Sequence, residues 1–269
     1  MLTIVYIIAL VYLLLCVVFY FFQDYFFFRP EILPKDFEYQ YPFPFEELDF
    51  EMKDGGVVNA IYFKVPNARG VVYYLKGNSR SIKGWGKFAK DYLSNGYDFF
   101  MMDYRGFGKS RGKRDEKRLY ADSQYIYEWL LGRYQEEHLI VLGRSLGSGI
   151  AAWVASQNNP RLLVLDSPYF SFYHNIKRYL FFVPLKWLLR YNIRTDQYVL
   201  NVDCPIHIVH GTKDRLFPIS QSEALVRLKP QGITLHRIEG AGHNDLPDYK
   251  EFYEILYKIL YLDGQNEEE

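Results

Sequence analysis

The sequence lacks most of what would mark a protein for nucleic acid, for metal or for a disulfide-stapled fold. Lys plus Arg equals Asp plus Glu at 32 each, so no net field draws the chain toward a polyanion. The two cysteines, Cys16 and Cys204, sit in unlike surroundings, one inside an apolar run and one before an expected strand. Neither a disulfide nor a zinc site is read from them. His138, His174, His207, His210 and His236 are scattered without metal-ligand spacing, so each reads as structural or solvated. Nucleic acid, metal and organic cofactor are therefore not expected, and no obligate protein partner is inferred. Repeats and low-complexity stretches are also missing, and 269 residues suffice for one large α/β domain or two small ones.

What is abundant is aromatic: 21 Phe and 25 Tyr. Leu2 to Phe22, "LTIVYIIALVYLLLCVVFYFF", carries no charge and is long enough to cross a hydrocarbon core of roughly 30 Å as a helix. A cleaved signal peptide would need a basic n-region, a shorter apolar core and a small-residue cleavage site, and the run shows none of these. A buried core helix would keep a polar face, and this segment is apolar all round. The expectation is an uncleaved N-terminal membrane anchor over 1–28. Tyr25 to Phe28 stand where an interfacial aromatic belt would lie, and Arg29 and Lys35 follow. By the positive-inside rule these two charges lean toward a cytoplasmic catalytic domain.

Beyond a Pro-containing linker expected over 29–45, strand-like and helix-like segments alternate. Leu48–Lys53 and Val57–Lys64 flank the turn signal "DGG". Strands are then expected at Val71–Leu75, Tyr97–Met102, His138–Leu142, Arg161–Leu165, Pro205–His210 and Thr234–Ile238. Helices are expected at Trp85–Leu93, Glu116–Leu131, Leu146–Ser156, Ser220–Leu228 and Tyr249–Leu262. Such alternation argues for a mostly parallel sheet with helices on both faces and the opening hairpin as its antiparallel edge. The domain is expected over 46–263, with an aromatic insertion at 169–198 and an acidic tail at 264–269. The insertion's Phe, Tyr, Trp and Leu side chains would serve equally to line an acyl-chain pocket or to pack over the sheet.

Chemistry concentrates in "IVLGRSLGSG". A serine hydroxyl is a poor nucleophile at neutral pH and needs a neighbouring base and an oxyanion site. G-x-S-x-G alone arises by chance in roughly one chain of this length in ten. Here it follows an apolar strand and opens a helix, where a tight turn lifts Ser145 clear and makes the Leu146 backbone N–H an oxyanion donor. Asp214 follows the next-to-last strand in "HGTKDRLFPI", and His243 follows the last in "EGAGHND". The order Ser145, Asp214, His243 suits a triad in which His243 takes the serine proton and Asp214 orients the imidazole. Asp166, ending the sixth strand, is the runner-up acid. Asp103 reads as a loop tie, and Asp245 lies too near His243 to be its obvious partner. The basic loop Arg105–Arg118 could touch anionic headgroups, but reads first as a solvated surface.

Five blocks in order, "KGNSRS", "DYRGFGKSRG", "GRSLGSG", "NVDCPIHIVHGTKD" and "GAGHND", make the chain from Leu48 to Leu262 resemble the α/β-hydrolases. The likeness is strongest to the Bem46-like and ABHD13/ABHD17-like serine hydrolases, many of which carry an N-terminal membrane anchor. The resemblance implies an α/β-hydrolase fold with a short helical lid at the 169–198 insertion. It also implies Asn78 as the second oxyanion donor, in a loop that usually reads His-Gly-Asn; here Lys76 replaces the histidine. The activity expected is cleavage of an ester or thioester through an acyl-enzyme, with a lipid or acylated substrate favoured over small esters. A membrane-tethered binding protein with little activity, or a serine peptidase on the same fold, are the other readings.

Overall fold

The computed structural model describes residues 2–261. Among the described residues, eight strands form one sheet in the order β1-β2-β4-β3-β5-β6-β7-β8. They are β1 (Phe45–Glu51), β2 (Val57–Phe63), β3 (Val71–Leu75), β4 (Asp98–Met102), β5 (Leu139–Arg144), β6 (Leu162–Asp166), β7 (Ile206–Gly211) and β8 (Ile233–Ile238). β1 and β2 pair antiparallel, as do β2 and β4, and every other pairing is parallel. The "DGG" turn closes the first hairpin with Gly55 at φ 79°, a left-handed conformation that favours glycine.

The α-helices of the described residues are α1 (Leu2–Phe27), α2 (Ile82–Trp85), α3 (Ala89–Leu93), α4 (Glu116–Leu131) and α5 (Leu146–Gln157), then α6 (Phe172–Lys177), α7 (Leu185–Leu188), α8 (Thr195–Tyr198), α9 (Ser220–Leu228) and α10 (Lys250–Tyr261). The helix expected over Trp85–Leu93 is instead two short helices joined by a 3₁₀ turn at Gly86–Phe88. Gly86 lies so close to the Tyr41 ring that an added Cβ would meet it at 2.3 Å. The last helix ends at Tyr261, while Leu262 and the acidic tail expected over 264–269 lie outside the described residues.

The inner strands are buried on both faces, and their alternation sorts the core into two layers. Val71, Tyr73 and Leu75 of β3, with Phe100 and Met102 of β4, face one layer. Val72 and Tyr74, with Phe99 and Met101, face the other. This is the period-two arrangement of a sheet covered on both sides, and it explains why these strands read as continuous apolar runs.

The stretch expected as a linker is docked onto the domain. Arg29 bridges Ser79 and Ile32 bridges Gly108, while Phe28, Leu33 and Tyr39 are buried. Its aromatic and aliphatic residues explain the difference, since a segment so rich in them has apolar surface to bury. α1 has a mean hydropathy of 3.0 over its most apolar window and is long and apolar enough to cross a membrane. Nearly all its side chains are exposed, unlike those of a core helix; the buried ones, Cys16, Phe19, Gln23 and Phe27, form a stripe three to four residues apart.

Candidate active site

β5 ends at Arg144 and α5 begins at Leu146, leaving Ser145 alone to turn the chain between them. Its backbone stands at φ 52° and ψ −118°, a conformation costing about 1–3 kcal/mol in a residue other than glycine. The turn is possible because its neighbours are bare. A Cβ on Gly147 would meet the Leu75 carbonyl oxygen at 1.9 Å, and one on Gly143 the Gly147 carbonyl oxygen at 2.3 Å. The Ser145 N–H donates to the Asp166 carbonyl at 2.9 Å, tying the elbow to the neighbouring strand.

Ser145 Oγ lies 2.9 Å from His243 Nε2, and His243 Nδ1 lies 2.7 Å from Asp214 Oδ2. An ionised carboxylate only accepts, so Nδ1–H donates to Asp214 and Nε2 is left to accept from the serine hydroxyl. The other Asp214 oxygen accepts the backbone N–H groups of Leu216 at 2.8 Å and Phe217 at 2.9 Å. Burial alone would raise the Asp214 carboxyl. Hydrogen bonds from His210, His243 and the Phe217 backbone outweigh it and hold the group well below its ordinary 3.8.

The sequence leads one to expect His210 to be structural or solvated. It is fully buried, and its Nε2 lies 3.1 Å from Asp214 Oδ2 and 2.8 Å from the Phe217 carbonyl oxygen. Facing two acceptors, Nε2 carries the proton, which leaves Nδ1 to accept from Ser222 Oγ at 2.6 Å. His210 is thus a positioning residue behind Asp214. The available signal was its place at the end of β7, four residues before an aspartate on the same loop.

Asp166 is placed elsewhere. Its carboxylate accepts from Ser167 Oγ at 2.9 Å and stands 3.4 Å from Arg144 Nε, beneath the elbow. Arg144 also reaches toward the Asn244 carbonyl at 3.5 Å, linking the elbow to the loop that carries His243.

The loop after β3 passes beside the nucleophile: a Cβ on Gly77 would lie 3.6 Å from Ser145 Cβ. The Leu146 N–H, first in its helix, has no intrahelical partner. Asn78 is held from the α1 side. Its carbonyl accepts from the Arg29 N–H at 2.9 Å, and its side-chain amide donates to the Phe27 carbonyl at 2.8 Å.

Lys76, at the position of the expected histidine, is fully buried beneath this loop. Its ammonium stands 3.3 Å from Asp103 Oδ1, 3.3 Å from the Arg80 carbonyl and 3.9 Å from the Phe107 ring centroid. Asp103 in turn accepts the Ile82 N–H at 3.0 Å. Burial pulls the Lys76 ammonium down to about 8 against the attraction of Asp103. Burial likewise pushes the Asp103 carboxyl up to about 6 against the attraction of Lys76. The lysine therefore ties both ends of the loop from below while its backbone remains beside Ser145.

The basic loop departs from a solvated surface. Arg105 is buried against Asp122 at 2.8 Å and reaches Asp54 at 2.7 Å. Arg111 donates to the Gly108 carbonyl at 2.7 Å, and Arg114 lies 4.1 Å from the Phe28 ring centroid. These cations are consumed in fastening the loop and the docked segment.

Ser145 and His243 lie on the wall of a cavity of about 450 Å³, within the range of small-molecule sites. Asn78, Trp85 and Leu146 line its floor; Tyr169, Phe172, Ile176, Tyr179 and Leu180 of the insertion line its roof. Phe26, Phe27 and Arg29, at the end of α1, complete it. No carboxylate lines this cavity among the described residues.

The family described as serine aminopeptidase S33 matches residues 66–196. Alpha/beta hydrolase domain-containing protein 17C of Xenopus tropicalis is 29% identical over 206 residues, covering 72% of this chain and 63% of that protein. The human protein of the same name is 28% identical, covering 72% and 59%. The chain thus spans about 60% of the length of these relatives. An esterase of Pyrococcus furiosus superposes with a TM-score of 0.67 at 18% identity, covering 87% of this chain and 97% of that one. A monoacylglycerol lipase of Paleococcus ferrophilus does so with 0.59 at 19%, covering 77% and 99%. The strand order, the strained elbow after β5 and these matches agree, and the chain has the α/β-hydrolase fold.

Proposed function

We propose that the chain is a membrane-anchored serine hydrolase that cleaves a carboxylic ester or thioester through an acyl-enzyme, with a lipid or acylated substrate. The hydrogen-bonded series Ser145–His243–Asp214 at an aromatic-lined cavity carries this reading. In acylation, Ser145 Oγ bonds to the substrate carbonyl carbon while His243 Nε2 takes the hydroxyl proton. The carbonyl oxygen gathers negative charge and meets the N–H groups of Leu146 and Asn78. The bond to the leaving group breaks, and His243 returns the proton to it. In deacylation, water gives a proton to His243 and attacks the acyl carbon, releasing the acid and restoring Ser145. Asp214 orients the imidazole and balances its positive charge throughout.

Two observations favour an acyl substrate over the aminopeptidase chemistry in the matching family's description. An aminopeptidase must hold a cationic α-amine, and this cavity offers arginines and no carboxylate. Its roof is aromatic and aliphatic, suited to an acyl chain. The helix α1 serves as the anchor, and Arg29 and Lys35 after it favour a cytoplasmic domain. Because Phe27 packs against Phe172 and Arg29 pairs with the oxyanion loop, removing this segment as a signal peptide would strip a wall from the cavity.

The test is a hydrolysis panel: p-nitrophenyl esters of rising chain length, an acyl thioester and aminoacyl p-nitroanilides, each with Ser145→Ala as control. The expected outcome is Ser145-dependent turnover of esters or thioesters that improves with chain length. Turnover confined to p-nitroanilides would replace this reading with the peptidase one. No turnover by folded protein would leave a binding protein on a hydrolase fold.

A further inference from the structure

We infer that the lid segment 178–190 is a second membrane-embedded element, docked along α1, and that the cavity takes its acyl substrate sideways from the bilayer. This rests on the reading of α1 as an anchor.

The lid runs down the flank of α1. Tyr12 Oη donates to the Phe182 carbonyl at 2.8 Å, and Gln23 Nε2 donates to the Leu188 carbonyl at 3.0 Å. The Arg190 N–H donates back to Gln23 Oε1 at 2.8 Å, and the Arg190 guanidinium lies 3.4 Å from Asp24 Oδ1. Tyr12 is about 22 Å along the helix axis from Phe27 at a rise of about 1.5 Å per residue. The lid tip therefore reaches deep alongside the part of α1 that spans.

On the outer side of this lid, Phe181 is 77% exposed and Trp187 82%, with Phe182 and Tyr179 also exposed. On a protein in water these would form an apolar patch with nothing to cover it. The neighbouring α1 residues Leu13, Leu14, Phe21 and Phe22 are exposed in the same way. Hydrocarbon that covers α1 at the level of Tyr12 also covers Phe181 and Phe182. One occupant thus accounts for both surfaces.

The backbone suits that setting, because polar groups in hydrocarbon must be satisfied internally. Turn bonds join Val183 N–H to the Leu180 carbonyl at 3.1 Å and Trp187 N–H to the Pro184 carbonyl at 3.1 Å. Position 184 is a proline with no N–H to satisfy. The carbonyls of Phe182 and Leu188 are taken by α1 side chains, as given above. Lys177, Arg178 and Arg190 flank the tip, where headgroups would lie, and the long stem of Lys186 lets its ammonium reach the same level.

The cavity draws part of its wall from each of these two elements. Phe26 and Phe27 from the end of α1 and Tyr179 and Leu180 from the lid are among its lining residues. An acyl chain leaving the leaflet at the anchor–lid seam would meet Ser145 without crossing water.

The test uses the full chain in phosphatidylcholine nanodiscs, with and without lipids brominated on their acyl chains. The difference in emission between wild type and Trp187→Phe isolates Trp187 from the other tryptophans. Trp187 is expected to be strongly quenched by brominated lipid. Phe181→Asp/Trp187→Asp, both outside the cavity, is expected to lower turnover of a bilayer-borne long-chain ester by about tenfold or more. Turnover of soluble p-nitrophenyl acetate should remain at the wild-type rate. Unquenched Trp187 in a protein whose α1 resists carbonate extraction would overturn the inference. So would equal loss on both esters, or quenching lost to self-association with the lid buried against a second copy. If p-nitrophenyl acetate is not turned over at all, the hydrolase reading fails, while Trp187 quenching still decides where the lid lies.

Discussion

The floor of the cavity and its roof are built from opposite kinds of contact. The floor stands on strand ends: Ser145 on a one-residue elbow after β5, Asp214 and His243 on the loops after β7 and β8, each held by backbone or side-chain hydrogen bonds. The roof is held to α1 by contacts such as Tyr12 to Phe182 and Gln23 to Leu188, between residues 170 and 165 positions apart. Chemistry that fails with an ångström of misplacement sits on the rigid half. Access, which needs only a surface of the right polarity, sits on the half that we propose lipid completes.

Breaking the floor should therefore cost activity, and breaking the roof should cost access or stability. Ser145→Ala comes first, with an expected loss of kcat by about 10⁶, the scale seen when a triad nucleophile is removed. Asp214→Asn is expected to lower kcat by about 10⁴, because the imidazole loses its orienting carboxylate, and to lower the melting temperature as well, because that carboxylate also accepts from His210 and the Phe217 backbone. Thermal melts beside single-substrate kinetics separate this from unfolding.

Lys76→Met leaves Asp103 buried without its counter-charge and is expected to destabilise the fold by about 3–5 kcal/mol in denaturant titrations. Lys76→His should recover much of this if the site asks only for a cation beneath the loop. The pair also has a pH signature. With Lys76 lowered to about 8, raising the pH through that value removes its charge and leaves the ionised Asp103 buried alone. kcat/KM should fall on that alkaline side, and the fall should change shape in Lys76→His.

His210→Phe removes a donor from the Asp214 carboxylate, a loss of about 1.5–3 kcal/mol for a hydrogen bond to a charged group. His210→Gln, which keeps a donor, should lose less. Asp214 is depressed in the folded state, so its contribution to stability is present above the ordinary 3.8 and disappears only as pH falls below it. His210→Phe should bring acid unfolding to a higher pH, which circular dichroism against pH would show. At the roof, Gln23→Leu strips partners from the Leu188 carbonyl and the Arg190 N–H, a cost of about 1–3 kcal/mol. A lower melting temperature with unchanged turnover of a soluble ester is the expected result.

The same division separates what was legible in the sequence from what was not. Strands buried on both faces read as apolar runs, and the helices between them carry their own periodicity, so the sheet and the placing of Ser145, Asp214 and His243 at strand ends followed from local pattern. The split of 82–93 did not, because it answers to Tyr41 packed against Gly86. The docking of 29–45 was hidden because prolines and aromatics look alike in a linker and in a strap. His210 was hidden among five unremarkable histidines, since its bond to Asp214 depends on how the loop after β7 folds back. The buried stripe of α1 was invisible because a helix apolar all round gives no sign of which side meets protein.

Intact-mass analysis after incubation with a fluorophosphonate tests the central claim most directly. The account predicts one covalent adduct on folded, detergent-solubilised protein, mapped by peptide sequencing to Ser145 and absent from Ser145→Ala. A folded protein that takes no adduct, or an adduct that persists in Ser145→Ala, would contradict it.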